Sequence, residues 1–184
     1  LDHIQASVRS VYNEGRSRMA VAHAMWIHGH SMQIEDPDGL RSIYRSGASI
    51  RVEGEQDATH WFQFAVPTPA VMGDETLRVA FVMLRFNLGG STRIRQVHAY
   101  DGERRIAEFN DLPTVPRGRW HTEWYRVPDH PEILHGLGIS VMVHFLGVPV
   151  IEDSHCVQFS SAGMWYSYEE MSAAYKPPLQ SLEP

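Results

Sequence analysis

The segment Leu77 to Phe86 constrains this chain most. Leu77, Val79, Phe81 and Met83 are apolar at alternate positions, and Ala80, Val82, Leu84 and Phe86 fill most of the other set. Successive strand side chains point to opposite faces, so a run apolar in both sets is a strand covered on both faces. It lies between two layers or lines an apolar interior.

Other segments share the period of two. Met25-Trp26-Ile27-His28 begins a strand, and Met32-Gln33-Ile34-Glu35 continues or returns from it. Asp36-Pro37-Asp38-Gly39 is a turn signal. Ile43 to Val52 is β-branched and broken by Gly47, and His60 to Val66 is stopped by Pro67-Thr68-Pro69. Ile94 to Tyr100 reaches Asp101-Gly102, a type I′ hairpin signal, and returns through Arg105 to Phe109. Thr122 to Val127 follows the Pro/Gly-rich link 113–118, then Ile139 to Phe145 and Cys156 to Trp165. About nine or ten short strands with regular turn signals predict an all-β fold, a β-sandwich or jelly-roll-like barrel.

The two ends read differently. In residues 2–19, Ile4, Val8, Val11 and Tyr12 form one apolar stripe at helical spacing, with Asp2 as N-cap. In residues 167–175, Ser167 and Glu170 make a capping box, and Pro177-Pro178 ends the helix. The expected organisation is a helical arm or lid over 1–20, a β-domain over 21–166, and a short helix and tail over 167–184. The first helix caps the domain, pairs with another copy in a homo-oligomer or belongs to a preceding segment; the sequence leaves all three open.

With 184 residues, 43% of them hydrophobic, the chain can bury one real core. Sixteen Lys and Arg against 22 Asp and Glu give a net charge of -6, the wrong field for a nucleic-acid partner. No apolar run reaches membrane-spanning length, so no membrane partner is expected, and residues 1–20 lack the apolar core of a secretory signal. Cys156 is the single cysteine; an intrachain disulfide is impossible, which fits a reducing cytoplasm. Its apolar surroundings make it a buried small residue rather than a nucleophile. Arginines cluster locally (Arg93, Arg95, Arg104, Arg105, then Arg117 and Arg119), and such a rim can hold an anionic ligand.

Three functional readings follow. The first is a metal-free module, without cofactor, that binds a small, largely apolar or sugar-like molecule. Aromatics just after the link, Trp120, Trp124 and Tyr125, with the polar groups His98, Arg95 and Glu123, are the candidate contacts. The second is metal ligation. His28 and His30, two apart, share a face if they lie in a strand, with Glu35 five residues on; His121 adds a third imidazole. His28, His30 and Glu35, followed by Pro116, Gly118 and His121, resemble the two motifs of the cupin family. That resemblance implies Fe, Mn, Ni or Zn held in a jelly-roll barrel. The plain alternative is that these are ordinary polar side chains among eleven histidines.

A broader resemblance covers about 22–166. Trp26-Ile27-His28-Gly29, Trp61-Phe62-Gln63-Phe64, Val97-His98-Ala99-Tyr100-Asp101-Gly102, Gly136-Leu137-Gly138-Ile139-Ser140-Val141 and Ser161-Ala162-Gly163 are similar to an uncharacterised bacterial family of small all-β proteins. It implies a β-sandwich or jelly roll and brings no activity. The third reading is architectural: an apolar barrel under a helical lid resembles small cofactor-independent cyclases or isomerases of bacterial secondary metabolism, which fold a flexible substrate by shape.

Overall fold

A computed structural model shows the residues between His23 and Tyr168, apart from 70, 73–74, 111 and 150–152. Its strands, in chain order, are β1 (His23–His28), β2 (Gln33–Ile34), β3 (Leu40–Arg45), β4 (Ile50–Gly54), β5 (Thr59–Val66), β6 (Val71–Met72) and β7 (Glu75–Thr76). Then come β8 (Arg78–Leu88), β9 (Thr92–Asp101), β10 (Arg104–Phe109), β11 (Trp120–Arg126), β12 (Leu137–Phe145) and β13 (Cys156–Ser167). A short 3-10 turn over Gly29–Ser31 links β1 to β2. All pairings between strands are antiparallel.

Two open sheets face each other. The first runs β11-β8-β13-β4-β3, with β1 taking over from β4 beside the second half of β13; the other runs β10-β9-β12-β5-β2. This is the expected all-β sandwich. The barrel alternative is corrected: among the described residues each sheet ends in edge strands, β11 and β3 in one, β10 and β2 in the other, and neither closes on itself. The helices expected over 2–19 and 167–175 lie outside the described residues, except at Ser167 and Tyr168. Ser167 is the last residue of β13 and fully buried, not a helix N-cap.

The core is the seam between the sheets. Phe159 on β13 packs its ring 5.6 Å from Phe62 and 5.4 Å from Phe64, both on β5 of the opposite sheet. Val82, Leu84, Phe86 and Leu88 of β8 join the same cluster. The other side of β8 explains why its sequence is apolar throughout. Phe81 and Met83 pack with Trp165 in a second cluster on the outer face of the sheet, against half-buried Trp26 and Trp124. Doubly apolar patterning thus marks a strand second from the edge, not the sheet centre; β13, flanked by β8, β4 and β1, holds the centre.

Two local expectations change. The β9–β10 turn has Gly102 and Glu103 as its central pair, and Gly102 alone has a positive φ (59°), the pattern of type II′ rather than I′. Gly29 ends β1 instead of kinking it. A Cβ there would lie 2.0 Å from the Phe159 carbonyl oxygen, so only glycine lets the chain turn this close over β13.

Candidate functional site

The predicted metal ligands do not meet. His28 and His30 are neighbours, with ring centroids 4.3 Å apart, but both are exposed and engaged with backbone. His28 Nδ1 accepts from the His30 backbone N–H at 3.3 Å, and His30 Nε2–H donates to the Ser46 carbonyl. Glu35 instead accepts from Gln63 Nε2 at 2.7 Å, beside the opposite sheet. His121 is buried on β11 and donates from Nε2 to the Pro116 carbonyl at 2.8 Å, with its ring against Phe86. β13 and β8 separate β1 from β11, so three strand spacings, about 14 Å, lie between His28 and His121. Among the described residues no group of three or more His, Cys, Asp or Glu can hold a metal ion. The missing step was β2: it pairs with β5 and so carries Glu35 away to the second sheet.

The six predicted ligand contacts divide among three places. Trp124 belongs to the outer-face cluster, its ring centroid 6.1 Å from Trp26 and 5.7 Å from Trp165. Trp120 alternates with it along β11 and shares that outer face. His98 lies on the outer face of the second sheet, its ring 4.9 Å from Trp61. Arg95, Glu123 and Tyr125 line one common cavity of about 550 Å³.

That cavity exists because of edge geometry. β10 pairs with β9 only over Val97 to Asp101, so among the described residues β9 from Thr92 to Gln96 has no outer neighbour. β11 is likewise the edge of its own sheet. The segment between β10 and β11 crosses from one edge to the other, and Asn110, Leu112 to Val115 and Arg117 close over the gap. Pro113 and Pro116 fix φ there and remove two N–H donors, which suits a strap outside any ladder. Phe86, Leu88, Ile94 and Tyr125 form apolar walls. A β-bulge sits at the same point. Gln96 pairs with Met142 and Ile94 with Val143, leaving Arg95 as the extra residue on β9. Bulges re-aim side chains, and this one places a guanidinium at the cavity.

Charge around the cavity is uneven. Arg93, Arg95 and Arg117 stand against one lining carboxylate, Glu123, among the described residues. Burial lowers the Arg117 pKa and the like charge of Arg93 lowers it further; its Nη1–H donates to the Gly89 carbonyl at 3.2 Å. An arginine stays charged regardless, so the shift reads as positive charge without full compensation. The Tyr125 phenol is pushed up, first by burial and then by the Glu123 charge, and remains a neutral donor. Sequence reading placed Arg93 and Arg117 in a basic rim but not among the contacts. The convergence of β9 with the 113–118 link is the signal it lacked.

His98 is a second polar feature. It is 6% exposed, and its Nε2 has no hydrogen-bond partner among the described residues, with Glu108 Oε1 4.0 Å away. Burial holds its pKa below the ordinary value; Glu108 opposes that and Arg105 reinforces it. The unfolded chain takes up a proton near pH 6.5 that the folded state resists, so stability is lost as pH falls through that range. His98→Gln should therefore flatten the fall in urea midpoint between about pH 7 and about pH 5 relative to the parent protein. Equal slopes would mean that His98 is not the group responsible. Cys156, as expected, is buried, and burial pushes its thiol pKa up, against a nucleophilic role.

Fold and cavity together define a two-sheet antiparallel β-sandwich with a ligand-sized space at one open edge. The chain belongs to a family of unknown function, DUF6623, whose model matches residues 20–169. No curated protein matches the sequence. Among solved structures it is similar to a Stig cyclase from Fischerella sp. TAU in complex with an indole compound, at 14% identity and a TM-score of 0.49 over 80% of this chain and 90% of that one. It is also similar to a low-affinity xylan-binding module from Roseburia intestinalis, at 8% identity and a TM-score of 0.45 over 77% of this chain and 94% of that one. A family 29 carbohydrate-binding module gives 6% identity and a TM-score of 0.43 over 78% and 88%. At these values no activity passes from those proteins to this chain.

Proposed function

We propose that this protein is a small-molecule-binding module and that its ligand sits in the edge cavity. One observation carries the reading: a cavity of about 550 Å³ with apolar walls and convergent polar groups from both sheets and the connecting strap. That combination is what small-molecule sites share, with apolar area for affinity and a few placed polar atoms for orientation. Arg95 comes from a bulge on one sheet, Glu123 and Tyr125 from the edge strand of the other, and Asn110 and Arg117 from the strap. Such a site forms only when the fold is complete. The cyclase reading depends on residues 2–19 as a lid, and that segment lies outside the described residues, so no observation favours chemistry over binding.

The test is a fragment screen by amide-resolved NMR on the full chain. Hits should shift the amides of Gln96, Thr114 and Glu123 together. Thr114 is exposed and lines the cavity, so Thr114→Trp fills it at little cost to the fold. That variant should weaken the hits by about tenfold or more while moving the melting temperature by no more than about 2 °C. Hits that ignore Thr114→Trp, or a screen with none at those amides, overturn the proposal.

A further inference from the structure

The clustered arginines differ in their surroundings: two pair with a carboxylate, three line the cavity, and exposed Arg119 does neither among the described residues. Of the two clusters read from the sequence, Arg104 lies 3.7 Å from the Asp101 carboxylate and Arg105 lies 2.8 Å from that of Glu108. Arg93, Arg95 and Arg117 take part in no ion pair with a described residue. All three line the same cavity, whereas Arg104 and Arg105 do not. Two come from β9 and one from the strap, so the fold brings Arg117 to a pair of cations at least 22 residues before it (117 minus 95), with Glu123 as the one lining carboxylate among the described residues.

Elsewhere the chain is acidic, with a net charge of -6. Gathering three guanidiniums, none in an ion pair with a described residue, around a partly apolar space lined by a single described carboxylate costs electrostatic energy unless more negative charge enters. The Arg117 pKa is lowered first by burial and then by the like charge of Arg93, and the second cause is that repulsion. A bulge that re-aims Arg95 toward the same space is a further structural cost with the same beneficiary.

We infer that the edge cavity binds an organic anion, its acidic head held by Arg93, Arg95 and Arg117 and its apolar body against Phe86, Leu88, Ile94 and Val115. This rests on the edge cavity being the ligand site and adds the chemical class of the ligand. Carboxylate, sulfonate and phosphate heads share the needed chemistry, an oxyanion that accepts charge-assisted hydrogen bonds from a guanidinium. Glu123 lines the same cavity and disfavours a second acidic group beside it.

Two dyes with the same aromatic body test this: anilinonaphthalene sulfonate, which is anionic, and phenylnaphthylamine, which is neutral. Titrated into the intact protein at low salt, the sulfonate should bind at one site at least about tenfold more tightly than the neutral dye, and salt should narrow the gap. Arg93→Gln and Arg95→Gln, at exposed positions, should each weaken the sulfonate about threefold, and half-buried Arg117→Gln about tenfold. The neutral dye should not respond to any of the three, and Thr114→Trp should remove both dyes. If both dyes bind alike, ignore the arginine variants and are still lost in Thr114→Trp, the anion inference is overturned and the cavity remains the ligand site. If neither dye binds, or binding survives Thr114→Trp, the cavity reading falls and the inference falls with it.

Discussion

Phe159→Ala should destabilise the protein by about 3–5 kcal/mol, the full range for deleting a buried phenylalanine. Phe159 is 0% exposed and stands where the two sheets touch, against Phe62 and Phe64. The site cannot collapse to fill the space. β13 is held there by Phe86 of β8 on one side and Ile50 of β4 on the other, and the Gly29 turn lies on the Phe159 carbonyl. The cavity term therefore adds to the lost transfer energy. For a chain of this size the melting temperature should fall by roughly 6–20 °C, with the urea m-value unchanged. Phe159→Leu keeps most of the volume and should cost about 1–2 kcal/mol. Tyr44→Ala, on an edge strand at 64% exposure, should cost under about 0.5 kcal/mol. If Phe159→Ala cost no more than Tyr44→Ala, the inter-sheet seam would not be the core.

Much of this architecture was legible because alternation is local. The pleat alone ties Phe62, Phe64 and Val66 to one face and marks β8 as covered twice. The site was legible only in pieces. Arg95, Glu123 and Tyr125 were read as contacts for their chemistry and position near the link, and the structure lines one cavity with them. Trp120 and Trp124 were read with Tyr125, but period two sends them to the opposite face of β11. The alternation that identified the strand already contained that separation. His28, His30, Glu35 and His121 failed for another reason. Which sheet a short strand joins depends on pairing at long range, and nothing near Gln33-Ile34 says that it pairs with Phe62-Gln63 rather than with β1. Arginine partners were equally hidden. Asp101 and Glu108 sit close in sequence to Arg104 and Arg105, yet what distinguishes Arg93, Arg95 and Arg117 is the end of β10, which leaves part of β9 uncovered.

Asp101→Ala should cost about 3–5 kcal/mol although it removes no apolar contact of note. The Asp101 side chain is 1% exposed at the end of β9. Its Oδ2 accepts from the Leu134 N–H at 2.9 Å and its Oδ1 from the His135 N–H at 2.8 Å, with Arg104 3.7 Å away. The next residue, Gly102, donates its N–H to the Gly136 carbonyl at 2.9 Å. One carboxylate thus fastens the segment before β12 to the β9–β10 hairpin. Alanine leaves two backbone donors without their charged acceptor, and water reaching the exposed residues Leu134 and His135 replaces it only in part. Asp101→Asn keeps one acceptor oxygen but turns an amide N–H toward the other donor, so it should cost less than alanine, about 2 kcal/mol, and remain well short of neutral. Hydrogen exchange separates this from a general loosening: the amides of Leu134 and His135 should lose more protection than those of β12 and β13. Arg95 lies six residues along β9 from Asp101, about 20 Å, so dye binding in the cavity should be unchanged in both variants while they stay folded. Uniform loss of protection across the sandwich would mean that Asp101 supports the whole fold and not this one junction.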